Sequence, residues 1–183
     1  MKLSNLALIT LLSGSMLSTA MADTTTITGG SGTVNFTGSI NSGACSISPE
    51  SVDQTVDLGS VTKSVLESNG TSSPQSFQIN LEDCDLTGLT NKTINITFSG
   101  AAAGTGSDAT LLGIVGSGAG AGIQITDSNG TPVTLGQATT STHVLQAGNN
   151  TLLFSAYLKK LSSAEEVTPG AFTSVTDFVL SYE

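Results

Sequence analysis

The run Thr176-Asp177-Phe178-Val179-Leu180-Ser181-Tyr182-Glu183 places large apolar side chains at every second position, and the sequence stops there. A period of two is the spacing of a β-strand with one buried face. A strand that ends a chain without turn, cap or tail leaves a row of unpaired N–H and C=O groups, a hazard that proteins blunt, cover or use for pairing with another chain. The reading here is use. A second strand-like run lies near the other end, where Gly32, Val34, Phe36, Gly38 and Ile40 fall on one face. Two strands without evident partners predict a subunit completed by its neighbour.

Residues 1–22 read as a secretory signal: Lys2 gives the positive start, Leu3 to Leu17 a mostly apolar core, and Ala20-Met21-Ala22 a small-x-small cleavage site before Asp23. No later stretch approaches the roughly 18 consecutive apolar residues of a membrane span, so a soluble mature chain is expected. Without the signal, the chain is long enough for one domain with a sizeable core. It holds four lysines, no arginine and 14 acidic residues, a net charge of −10. Binding a phosphate backbone needs clustered cations, and Lys159-Lys160 is the sole adjacent pair, so nucleic acid is not an expected partner.

Cys45 and Cys84 are the two cysteines of an exported chain, and an oxidising compartment favours one disulfide between them. Closing a loop of about 40 residues stabilises a fold by roughly 4 kcal/mol in the chain-entropy picture. The spacing matches no zinc pattern.

Gly, Ser and Thr are abundant, Trp is absent, and short β-rich runs recur between turn signals, which predicts an all-β sandwich. Strands are expected over Gly32–Asn41, Ala44–Ser48, Gln54–Leu58, Gln75–Leu81, Thr93–Ser99, Ala121–Thr126, Thr131–Leu135, Thr151–Leu158 and Ala171–Tyr182. Asn129-Gly130 tolerates the positive φ of a tight hairpin turn; a calcium loop over Asp127–Gly130 is the alternative, although the later ligands and closing Glu are missing. Lys63–Ser68 can form a short helical turn. Leu153 to Ala164 fits helical spacing, but Leu152, Phe154, Ala156 and Leu158 fit a strand equally well, and the β context favours the strand. Gly100–Gly122 reads as a flexible connection; it lacks a strict GxGxxG and a following Gly-Lys-Ser/Thr, so a phosphate cradle is not expected.

Catalytic signatures are missing. After the signal the one histidine, His143, has no cysteine or acid beside it, and there is no GxSxG elbow. Glu82-Asp83-Cys84-Asp85 does not converge its carboxylates, because neighbours in a strand point to opposite faces. Six Asn-x-Ser/Thr sequons, at Asn35, Asn69, Asn91, Asn95, Asn129 and Asn149, are frequent by chance in a Thr-rich chain and do not establish glycosylation. No cofactor or metal is expected, and the chain does not read as an enzyme.

Several segments together resemble the chaperone-usher pilins, in particular major subunits of type 1 and related fimbriae. These are Gly32-Thr33-Val34-Asn35-Phe36-Thr37-Gly38, Ala44-Cys45, Ser51 to Gly59, Leu81-Glu82-Asp83-Cys84-Asp85 and a C-terminal motif. In that motif Pro169-Gly170 places Gly170 fourteenth from the end and Tyr182 is penultimate. The resemblance implies an incomplete immunoglobulin-like β-sandwich, residues 43–183, that lacks its seventh strand and is completed by a donor strand from another subunit. Residues 23–42 are then the donor extension. A periplasmic chaperone lends a strand to the groove, and an outer-membrane usher exchanges it for the next subunit's extension, a known mode of strand addition.

By this resemblance Val34, Phe36 and Ile40 fill apolar pockets of the neighbour, and Gly32 shares their face. Gly38 passes where there is no room for a side chain. Gly170, Phe178, Leu180 and Tyr182 belong to the groove and the chaperone contact, and the carboxylate of Glu183 anchors in a basic cleft of the chaperone. The expected product is a structural subunit of a surface fimbria, exported through the periplasm. The alternative is a minor adaptor or receptor-binding, adhesin-like pilin, with a host receptor that the sequence does not identify. Family tip adhesins carry an additional lectin domain, for which this chain has no room.

Overall fold

Apolar residues at every second position build two facing sheets in the computed structural model, which describes residues 29–183. The signal (1–22) and residues 23–28 of the expected extension lie outside the described residues. The chain divides into a segment up to Ser39 and a body from Ile40 to Glu183. Residues 29–42 carry no regular secondary structure, and Val34, Phe36 and Ile40 are exposed. The strand expected over Gly32–Asn41 is therefore not formed in this chain alone. A strand needs a ladder partner, and neither alternation nor β-propensity supplies one.

In the body, β1 (Ser46–Ile47), β2 (Gln75–Cys84), β7 (Gly148–Lys160) and β5 (Ala121–Asp127) form an antiparallel sheet in the order β1-β2-β7-β5. The facing sheet has β3 (Thr93–Gly100) between β6 (His143–Val144) and β9 (Thr176–Tyr182). A small ribbon pairs β4 (Val115–Gly116) with β8 (Phe172–Thr173). Inward-facing Ile79 and Leu81 of β2, Leu152 and Phe154 of β7 and Ile94, Ile96 and Phe98 of β3 are buried between the sheets. The ring of Phe98 meets that of Phe154 edge-on at 5.1 Å, a preferred aromatic geometry. Gln124 and Asp127 on β5 are buried as well; Gln124 donates to the Val133 carbonyl at 3.3 Å, and Val133 N–H donates to Ile125 O at 2.9 Å.

Several elements depart from the sequence expectations. The ambiguous segment after Gly148 is a strand, paired on both sides by β2 and β5. Gln54–Leu58 is not in a ladder, and Thr131–Leu135 makes a single bridge, Thr126 to Pro132. The last expected strand breaks at Ser174-Val175 into β8 and β9. β2 runs past Leu81 through a register shift before Cys84, with Asp83 at φ 51°. The helical turn after Thr62 forms as α2 (Lys63–Asn69), ended by Gly70 at φ 75°, the left-handed cap that glycine allows. A shorter helix, α1 (Pro49–Val52), was not expected; Ser51 Oγ accepts the Asn80 N–H at 2.9 Å and holds it to β2. Cys45 and Cys84 form the disulfide. In the Asp127 turn one carboxylate oxygen accepts the N–H groups of Asn129 and Thr131, and the other accepts the Ser141 hydroxyl.

The expected flexible connection over Gly100–Gly122 contains a 3-10 turn (Gly106–Thr110) and a buried anchor. Asp108 accepts the Ser162 N–H at 2.9 Å, the Ser163 N–H at 3.1 Å and the Ser163 hydroxyl at 2.9 Å. The Ser162 N–H is the main cause that holds this carboxyl below its ordinary 3.8, against an opposing push from burial. A carboxyl depressed in the folded state contributes stability above its unfolded pKa, and that contribution is lost as pH falls through the lower folded value. The thermal midpoint should therefore drop on acidification below about pH 4. Asp108→Asn should lower the midpoint at neutral pH and flatten that acid dependence, as measured by thermal unfolding across the acid range.

Candidate functional site: an open groove beside the last strand

Among the described residues β9 pairs on one side only, with β3. Its register with β3 pairs Tyr182 with Ile94, Leu180 with Ile96 and Phe178 with Phe98. The β3 members are 0%, 0% and 1% exposed, whereas their β9 neighbours on the same inward face are only partly buried. Inward residues of adjacent strands differ in this way when the outer strand lies at a sheet edge and nothing covers its far side. The ladder extends through Glu183, whose N–H donates to Thr93 O at 3.0 Å and whose carbonyl accepts from Thr93 and Asn91. Burial pushes the Tyr182 phenol above its usual pKa, partly offset by a hydrogen bond with the Cys45 backbone. A Cβ added at Gly43 would lie 3.0 Å from the Tyr182 ring.

The opposite wall is the stretch from Gln54 to Val61. Val56, Leu58 and Val61 are partly buried while Thr55, Asp57, Gly59 and Ser60 are exposed. This segment has a strand's alternation without a ladder partner among the described residues. Gln54 Nε2 ties its start to Gln78 O at 3.2 Å. Between the two walls runs a cleft of about 590 Å³ that reaches the core at Phe77, Ile79, Phe98 and Ile125. A second cleft of about 740 Å³ shares Val56, Leu58, Ile123 and Ser174 with the first and continues past Leu66, Leu158, Val167 and Gly170. Together they make one groove from Phe178 to Pro169, over core that a closed sandwich would cover.

Of the site residues expected from the C-terminal sequence, Phe178 and Gly170 each line one cleft, whereas Leu180, Tyr182 and Glu183 line neither. Phe178 lines the first cleft and its ring centroid lies 6.4 Å from that of Phe98; Leu180 and Tyr182 continue its face toward the disulfide end. Gly170 lines the second cleft but also packs backbone on backbone. A Cβ there would lie 2.4 Å from Gly118 N and from the Ser117 carbonyl carbon, so glycine is needed for close approach of the two loops. His143 lines neither cleft; its ring lies 6.1 Å from that of Phe154. What sequence reasoning missed is the Gln54–Val61 wall, whose alternation was visible but whose lack of a partner was not.

This architecture is an immunoglobulin-like sandwich with one edge strand missing. A model of the fimbrial protein family matches residues 34–183. The chain is 45% identical to the fimbria A protein of Serratia marcescens and 39% identical to the major MR/P fimbria protein of Proteus mirabilis, each over the whole of both chains. Among solved structures, a chaperone-usher pilus subunit from work on rod uncoiling covers 86% of this chain and 99% of its own, with TM-score 0.75 and 33% identity. The P pilus rod subunit PapA covers 77% of this chain and all of its own, with TM-score 0.68 and 32% identity. The chain belongs to the fimbrial protein family: it is a structural subunit of a chaperone-usher fimbria, exported through the periplasm to an extracellular filament.

Proposed function

We propose that this subunit polymerises by lending residues 23–42 to the groove of another copy, and that this fold completion in trans, rather than bond-making chemistry, is its work. The observation that carries the reading is the groove itself: the extended segment Gln54–Val61 and the edge strand β9 flank a cleft that reaches Phe77, Ile79, Phe98 and Ile125, and among the described residues no strand pairs between them. The donor has the matching chemistry. Gly32, Val34, Phe36, Gly38 and Ile40 share one face, and a nine-residue strand spans roughly 30 Å. Val34, Phe36 and Ile40 are exposed in the isolated chain, and burying each contributes roughly 1.5 to 3 kcal/mol before ordering costs. Gly38 brings no side chain, which suits a point of close approach between donor and acceptor backbones.

In the same reading a periplasmic chaperone occupies the groove first, against Phe178, Leu180 and Tyr182, with Glu183 anchored by its carboxylate, and an outer-membrane usher catalyses the exchange. Relatives named as major fimbrial proteins favour the rod subunit over a minor adaptor. Phe36→Asp puts a carboxylate into an apolar pocket, at a cost of several kcal/mol. Cells producing only this variant should make the subunit in normal amount and far fewer filaments by electron microscopy. Normal filament number and length would count against the assignment of Phe36.

A further inference from the structure

One end of the groove is bounded by charge. On α2, Lys63 and Glu67 lie one turn apart (i, i+4). Lys63 Nζ reaches Glu166 Oε2 at 2.8 Å. Glu67 accepts the Val167 N–H at 2.6 Å on one carboxylate oxygen and the Lys160 ammonium on the other. Lys160 Nζ also donates to Glu165 O at 3.0 Å. Lys63 and Leu66 line the second cleft on the α2 side, and Val167 to Phe172 line it on the other. These are the two salt bridges among the described residues of a chain with a net charge of −9. Both hold α2 at the groove end.

We propose that these ion pairs form a latch that ties α2 to Lys160, Glu166 and Val167 at the groove end and sets how fast an incoming strand seats there. The inference rests on the strand-donation reading above. At seven residues α2 is too short to hold its own shape in water, so its position depends on the burial of Leu66 and on these bonds. The pairs are partly exposed: side-chain exposure is 38% and 72% for Lys63 and Glu166, and 23% and 27% for Lys160 and Glu67. Exposed pairs are individually weak and yield to salt. Such a latch can hold the walls together at rest and still open for a strand.

The donor makes the test clean, because residues 29–42 contain no charged side chain. Salt therefore has no donor charge to screen, and the part of its effect on entry that is lost when Lys63 or Glu166 is neutralised belongs to the acceptor. The probe is an end-capped, fluorescent peptide of residues 29–42, added to the mature chain at about 0.05 M and about 1 M salt. Association rate and final occupancy are both read. Lys63→Met and Glu166→Gln should each speed entry roughly two- to fivefold at low salt and reduce its salt dependence. The exchanged pair Lys63→Glu with Glu166→Lys should return the rate toward that of the parent. Peptide that binds all forms at one rate, with one salt dependence, would overturn the latch and leave strand donation standing. Peptide that binds no form would overturn both.

Discussion

A mature subunit carrying a second copy of residues 23–42 after Glu183, joined by a flexible linker, is expected to unfold about 10 °C higher than the unmodified chain. Three apolar side chains leave water, a gross gain of roughly 5 to 9 kcal/mol. The backbone of the added segment is also expected to pair with β9, whose outer edge has no ladder partner among the described residues. Ordering the segment costs a large part of this, but the tether removes the cost of bringing two molecules together. A net gain of about 3 kcal/mol shifts the midpoint of a domain this size by roughly 6 to 12 °C. Unfolding should also slow, because strand and body must separate first. The same fusion carrying Phe36→Asp in the added copy should lose most of the gain, which separates groove filling from an effect of the linker.

Deleting residues 23–42 should abolish filaments while leaving the body folded. The chain divides after Ser39, residues 40–42 carry no regular secondary structure, and the disulfide and both sheets lie beyond the deletion. A head-to-tail polymer needs a donor and an acceptor on every link, and the truncated chain retains only the acceptor. It should still bind the peptide of residues 29–42 and gain thermal stability from it. Filaments of normal length from the truncated chain would show that subunits join through another surface. A truncated chain that neither polymerises nor binds the peptide would place essential structure in the extension, contrary to this division.

Much of the body was legible because its strands keep a period of two around a single core. Ile79 and Leu81, Ile94 to Phe98 and Leu152 to Leu158 alternate in the sequence and are buried as that alternation requires. Boundaries were less legible where a turn or bulge intervenes, as at Asp83 and at Ser174-Val175. The alternation of Phe178, Leu180 and Tyr182 was legible as one face of a strand, whereas their assignment to a groove, with that of Gly170, came from the resemblance to pilins. The groove itself was not legible, because a missing strand leaves no residues to read; it emerges only when Phe178, Leu180 and Tyr182 are set beside their fully buried β3 partners. Asp108 and Glu67 were also hidden. Each acts through backbone N–H groups about 54 and 100 residues away in sequence, and no local pattern marks such a pairing.

In an assembled filament the slot of one subunit should hold the extension of another. The most direct measurement is a filament structure by electron cryomicroscopy at a resolution that distinguishes side chains. Residues 32–40 of one copy should lie between Gln54–Val61 and β9 of the next, with Val34, Phe36 and Ile40 turned to the core and the backbone laddered to β9. A filament in which each extension closes its own domain, or in which the slot stands empty and subunits meet elsewhere, would contradict it.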